Sequence, residues 1–234
     1  MNKLKVVTLF SGIGAQESAL DKLEIPYEIV GYSEIDKFAI KSYTCLYGEQ
    51  PALGDITKIE ELPECDLCTY SFPCTDISIG GDKKGLIDEN GNKTRSGLLL
   101  DVERLLDVAK AKNKLPKILL MENVKNLVSK KFKPDFDRWL SKLEELGYEN
   151  YWQILNAKDY GVPQNRERVF VVSFLKELHM DNYEFPAPFK LEKRLVDVLE
   201  TNVPESYYLS QQIIDKIKKS NFHSEADRVL KGDY

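Results

Sequence analysis

Apolar positions follow two alternating periods over roughly the first 175 residues. Leu4–Phe10 is a mainly apolar run of strand length, the pattern of a strand buried on both faces. A glycine turn and a helix to about Leu23 follow. Tyr27–Ser33 predicts a second strand, and Asp36 opens a helix that runs to about Tyr47. Asp66–Ser71 predicts a third strand and Lys117–Met121, just after Pro116, a fourth. Between them, from about Ser96, the residues Leu98, Val102, Leu105, Leu106 and Ala109 recur at helical spacing. After Pro134 the residues Phe136, Trp139, Leu140, Leu143 and Leu146 do the same, and Gly147 stands where a left-handed cap belongs. Tyr151–Leu155 and Val169–Phe174 complete the strands. Strands alternating with helices predict an α/β chain with a mostly parallel, doubly wound sheet and helices on both faces. The pattern dissolves after Pro186. A domain over residues 1–185 is therefore expected, with 186–234, including the amphipathic stretch Tyr208–Lys219, as a connector.

Composition narrows the classes. A net charge of −5 over 234 residues excludes a polybasic nucleic-acid binder while leaving room for a local basic groove. No apolar stretch approaches the roughly 20 residues that span a bilayer, and the N-terminus lacks a signal-peptide core, so a cytoplasmic protein is expected. Cys65 and Cys68 have C-x-x-C spacing, but the two histidines, His179 and His223, are remote. They are expected to pack as small hydrophobes on a buried strand, and no metal is expected.

Candidate chemistry gathers at the strand ends, where open α/β sheets bind ligands. Phe10-Ser11-Gly12-Ile13-Gly14 closes the first strand with glycines that let the backbone turn tightly against a ligand. Glu34 closes the second, where an acid can hold ribose hydroxyls. Glu17 stands where a third glycine would favour NAD. Its carboxylate disfavours a pyrophosphate and so favours a nucleoside without phosphates, or it is an ordinary helix N-terminal charge. Phe72-Pro73-Cys74 follows the third strand and opens a long polar, glycine-bearing loop; Cys74 is a candidate nucleophile or a half-buried spectator. Glu122-Asn123-Val124 follows the fourth, with Glu122 a candidate acid or a surface carboxylate. Gln164, Arg166 and Arg168 alternate along an extended chain and are expected to project together, toward a base and phosphates or into a salt-bridged edge with Glu167.

These segments, in this order, resemble the cytosine-C5 DNA methyltransferase family from about residue 4 to about residue 174. The resemblance implies a Rossmann-like fold and S-adenosylmethionine as cofactor. Phe10, Gly12 and Gly14 would line it, Glu34 would hold the ribose, Ile35 would pack on the adenine, and Asp55 with Ile56 would edge the ring; Pro73 and Leu98 would complete the site. It implies double-stranded DNA with a flipped cytosine as substrate. Cys74 would add to C6, Glu122 would act at N3, Arg168 would hold the base carbonyl, and Arg166 would support the nucleophile loop. Asn123 would orient the Pro73-Cys74 turn, Ser78 and Gln164 would contact substrate, and Asn156 and Tyr160 would scaffold the arginine loop. The loop 75–94 would close over DNA. Thr75 and Ile77 depart from the family's glutamine and aromatic residue. The family continues into a target-recognition domain and a C-terminal segment not found by residue 234, so a truncated chain, or one completed by a second polypeptide carrying the recognition domain, is expected. Other readings are a cofactor-binding subunit inactive without that partner, a tRNA cytosine-C5 methyltransferase and, disfavoured by Glu17 and the Pro-Cys and Glu-Asn-Val motifs, an NAD-dependent oxidoreductase.

Overall fold

The structure, a computed structural model, describes residues 3–77 and 85–219. One six-stranded sheet has the order β2-β1-β3-β4-β6-β5. Strands β1 (Leu4–Leu9), β2 (Tyr27–Ser33), β3 (Leu67–Tyr70) and β4 (Ile118–Val124) pair in parallel. Strand β6 (Glu167–Leu175) lies antiparallel between β4 and β5 (Tyr148–Asn156). The sheet is thus mostly parallel, with one reversed strand. That reversal sends the beginning of β6, not its end, to the edge where β1 to β4 finish.

Alternate residues of β1 face two different cores. Val6 packs with Ile29, Leu20 of α1 (Ala15–Lys22) and Tyr43 of α2 (Lys37–Tyr47). Val7 and Leu9 join Leu105 of α3 (Leu99–Ala111) and Trp139 of α4 (Lys133–Leu146) in the larger core. Over β5 and β6 the face away from Trp139 is covered by aromatic packing, Tyr151 and Phe174 against Tyr183, instead of a helix. Cys65 and Cys68 are buried in the larger core, as their reading as small hydrophobes requires. Burial pushes the Cys65 thiol up to about 12 and that of Cys68 well above its usual range.

Pro134 sits in the first turn of α4, where no N–H is needed, and Gly147 ends it at φ +107°. Trp139, fully buried, donates from Nε1 to the Tyr70 hydroxyl at 3.1 Å and meets that ring edge-on. Trp139→Ala is expected to lower unfolding free energy by about 3–5 kcal/mol, read as a shifted urea midpoint at unchanged slope.

Strand β4 runs three residues past the expected Met121. Its polar tail stays in the sheet because β6 supplies partners: Glu122 faces Phe170, Asn123 faces Val169 and Val124 faces Arg168. Strands β5 and β6 are longer than expected for the same reason, pairing from Tyr148 with Leu175 to Asn156 with Glu167.

The described residues up to Leu191 form one compact unit and those from Glu192 a second. In the first, the Tyr160 hydroxyl donates to the Pro186 carbonyl and the Phe189 N–H to the Asp159 carbonyl, both at 2.9 Å. The chain therefore stays attached beyond residue 185. In the second, short 3-10 turns at Leu195–Val198 and Glu205–Tyr207 precede α5 (Gln211–Lys219), which starts later than Tyr208 because that residue is extended. Among the described residues, no helix is long and apolar enough to cross a membrane.

Candidate active site at the sheet edge

Phe10, Gly12 and Gly14 turn the chain out of β1 in left-handed conformations, φ +58°, +56° and +88°. At Gly14 the packing also demands glycine: a Cβ would stand 2.2 Å from Cε2 of Tyr47, whose hydroxyl donates to the Gly14 carbonyl at 2.7 Å. The Ser11 N–H bonds the Ser33 carbonyl, tying the turn to the end of β2. There Glu34 reaches back: its Oε2 accepts the Gly12 N–H at 2.9 Å, while Oε1 accepts the N–H groups of Ile35 and Asp36.

The neighbouring segment is drawn to the same place. The Leu53 N–H bonds the Tyr32 carbonyl and the Ser33 hydroxyl bonds the Gly54 carbonyl, each at 2.7 Å, which brings Asp55 and Ile56 beside the end of β2. Asp55 accepts from the Thr57 N–H and hydroxyl, which hold its carboxyl below the usual range. Ile56 is buried, Ile35 is 71% exposed, and Leu98 is half-buried at the end of the 3-10 turn Ser96–Leu98.

Glu17 lies in the first turn of α1, as expected for a helix N-terminal charge, but it is fully buried, accepting from the Thr8 hydroxyl at 3.0 Å and the Tyr43 hydroxyl at 2.7 Å. Burial, then the Glu17 carboxylate, raise the Tyr43 hydroxyl far above its ordinary range. Tyr43 in turn packs against Tyr47, so the glycine turn rests on an aromatic stack anchored by Glu17.

Cys74 lies just beyond β3 in a turn closed by the Ile77 N–H to the Cys74 carbonyl at 3.0 Å. Cys74 and Pro73 are half-buried. Asn123, buried on the far side of β4 from Glu122, donates to the Phe72 carbonyl at 3.0 Å, and Asn126 donates to the Ile77 carbonyl. Glu122 pairs with Arg168, Nε to Oε1 at 3.1 Å, and the Arg168 guanidinium also donates to the Glu167 carbonyl.

The extended run expected from Gln164 through Arg166 to Arg168 is interrupted at its start. The chain bends at Gln164, whose N–H bonds the Val162 carbonyl, and the strand begins only at Glu167. Gln164 and Arg166 are exposed; Asn156 pins this loop by accepting the Arg166 N–H and donating to Asn165. Glu167 bridges to Lys125 at 2.8 Å, not to the arginines. Ser78 lies outside the described residues. Sequence reasoning passed over Asn126 and the buried pair Asp76 and Ser96, whose contacts span too much chain for any local pattern to show.

The chain superposes on solved structures of methyltransferases. The S. pombe Dnmt2 methyltransferase superposes with a TM-score of 0.65 at 23% identity over 92% of this chain and 65% of its own. A Spodoptera frugiperda DNMT2 mutant gives 0.69 at 23% identity, with the same coverage. The fold is therefore the Rossmann-like methyltransferase fold. The profile described as C-5 cytosine-specific DNA methylase matches residues 4–231, and the chain belongs to that family. Type II methyltransferase M2.ScrFI of Lactococcus lactis subsp. cremoris is 37% identical over 91% of this chain and 72% of its own length. Type II methyltransferase M.SsoII of Shigella sonnei is 39% identical over 90% of this chain and 54% of its own. The orphan methyltransferase M.Rho11sI of Bacillus phage rho11s is 35% identical, and the chain spans 49% of it.

Proposed function

We propose that this chain transfers a methyl group from S-adenosylmethionine to C5 of cytosine in double-stranded DNA, through a covalent bond between Cys74 and C6. The observation that supports this most is the Glu122–Arg168 pair at 3.1 Å, with Glu122 on β4, the neighbour of the strand that leads into Cys74, and Arg168 on β6, the next strand along.

The donor set fits the cofactor. Glu34 Oε2 accepts a single N–H and keeps capacity for a ribose hydroxyl. The Cβ direction of Gly12 opens onto free space, and exposed Ile35 offers an apolar platform for a purine. Phe10, Gly14, Asp55, Ile56, Pro73 and Leu98 would complete the enclosure. Bound there, the cofactor supplies an electrophilic methyl group on a sulfonium. Gly14→Ala, which forces a side chain onto Tyr47 at positive φ, is expected to weaken S-adenosylmethionine binding about tenfold or more by calorimetry.

The rest follows from the side chains. Cytosine is inaccessible in the stack and must be turned out of it. The Cys74 thiolate forms the S–C6 bond, and the displaced π pair makes C5 nucleophilic. Glu122 supplies the hydrogen bond or proton at N3 that this charge shift requires, and Arg168 donates to the base carbonyl. Once C5 carries the methyl group, loss of its proton to a base restores the double bond and expels Cys74 as thiolate.

Tritiated methyl transfer to duplex DNA, followed by nucleoside separation, tests the reading. Label is expected in 5-methyldeoxycytidine. Label in another base overturns the chemistry; a tRNA labelled in preference to duplex DNA overturns the substrate alone.

A further inference from the structure

We infer that Asp76 and Ser96 form a positioning clasp that sets the Cys74 turn against the segment carrying Leu98. The inference rests on the reading of Cys74 as nucleophile. The two residues, far apart in sequence, bond reciprocally: the Asp76 N–H donates to Ser96 Oγ at 3.1 Å, and the Ser96 N–H donates to Asp76 Oδ2 at 3.0 Å. Asp76 is 8% exposed and Ser96 not at all. Buried polar groups persist where they are matched, and losing one side of such a pair strands the other.

The surroundings give the clasp its consequence. The Cys74 turn is held from three directions. Asn123 grips the Phe72 carbonyl before the thiol, and Asn126 grips the Ile77 carbonyl after it. Both belong to β4 or the 3-10 turn Lys125–Val128 that follows it, so they fix the thiol relative to Glu122. The third tie, Asp76 to Ser96, is the one that reaches the cofactor side. Ser96 opens the 3-10 turn that ends in Leu98, and that turn is itself seated firmly: a Cβ on Gly97 would stand 2.2 Å from the Leu86 carbonyl oxygen. The Gly85 N–H bonds the Asp76 carbonyl at 3.1 Å, and the Thr94 hydroxyl bonds the Gly85 carbonyl at 2.6 Å, closing a ring of contacts around the pair. The clasp therefore sets where the thiol stands relative to the methyl-donor side. Reactions of this kind lose about a hundredfold for a misplacement of about 1 Å.

Asp76→Ala, Asp76→Asn and Ser96→Ala in the full chain test this. Asparagine keeps an oxygen for the Ser96 N–H; alanine does not. One readout needs no turnover: iodoacetamide labelling of Cys74 relative to exposed Cys45, followed by peptide mass spectrometry. Asp76→Ala is expected to raise the Cys74 to Cys45 labelling ratio at least about threefold, with Asp76→Asn close to wild type, because the released turn uncovers a half-buried thiol. In the second readout, covalent capture by 5-fluorocytosine duplex DNA is expected to slow about tenfold or more in Asp76→Ala and to recover in Asp76→Asn. A merely structural role would lower the unfolding midpoint and leave the labelling ratio and the capture rate per folded molecule at wild-type values; that result overturns the clasp. Should Asp76→Ala fail to fold, Ser96→Ala, which removes only the bond to the Asp76 N–H, carries the same expectation at smaller size. Cys74→Ala separates the two claims. Capture persisting in Cys74→Ala overturns the nucleophile itself, whereas capture lost there but unchanged in Asp76→Ala overturns only the clasp.

Discussion

Cys74→Ala is expected to reduce kcat for methyl transfer by roughly 10⁴-fold or more while leaving S-adenosylmethionine affinity within about threefold of wild type. The size follows from the chemistry: C5 of cytosine is a poor nucleophile until C6 carries a substituent, and no other described thiol can provide one there. Cys65 and Cys68 are buried in the sheet core, and Cys45 lies on α2, which packs on the other side of β1. The preserved affinity follows from placement, because the groups assigned to the cofactor sit mainly on the ends of β1 and β2, while Cys74 follows β3. Single-turnover methyl transfer and calorimetry on the same preparation check both halves.

Glu122→Gln is expected to lower kcat by about 10²–10⁴-fold, the range of a lost proton donor or acceptor in a rate-limiting step, with little change in KM for DNA. Arg168→Ala is expected to act on the same step, because it removes the guanidinium 3.1 Å from the carboxylate. The two losses should combine to less than their product, since each side chain orients the other. Unfolding does not explain such losses. Both side chains are partly solvated, at 21% and 28% exposure, and an ion pair of that kind contributes about 1 kcal/mol or less. Urea midpoints close to wild type, measured beside the kinetics, separate the two effects.

The fold was legible where the physics is local. Val6 to Leu9 are all buried because both faces of β1 are covered, and the α4 boundaries follow from Pro134 and Gly147. Direction was not legible. A period of two marks a strand without saying which way it runs, so nothing local shows that β6 is reversed. That reversal is what makes Arg168, at the beginning of its strand, a neighbour of Glu122 near the end of another. The polar tail of β4 was missed for a related reason: Glu122 and Asn123 break the apolar run, and only pairing with β6 keeps them in the sheet. Glu17 was legible as a first-turn acid but not as a buried one. Acids in the first turn of a helix are ordinarily exposed, and its burial depends on Thr8 and Tyr43, which no local pattern connects. What was legible is the placement of Gly12, Glu34, Cys74 and Glu122 at or just beyond strand ends, because the edge of an open sheet is where loops can approach a ligand without disturbing the core.

The central claim is that Cys74 bonds to the base. Duplex DNA carrying 5-fluorocytosine tests it most directly, because fluorine at C5 cannot leave as the proton does, and the S–C6 bond persists after methyl transfer. The chain incubated with this DNA and S-adenosylmethionine should yield a stable complex. After digestion, mass spectrometry should find the methylated fluoropyrimidine on the peptide containing Cys74 and on no other. An adduct on a different residue, or 5-methylcytosine formed from unmodified DNA while Cys74 stays free of any fluorocytosine adduct, would contradict the account.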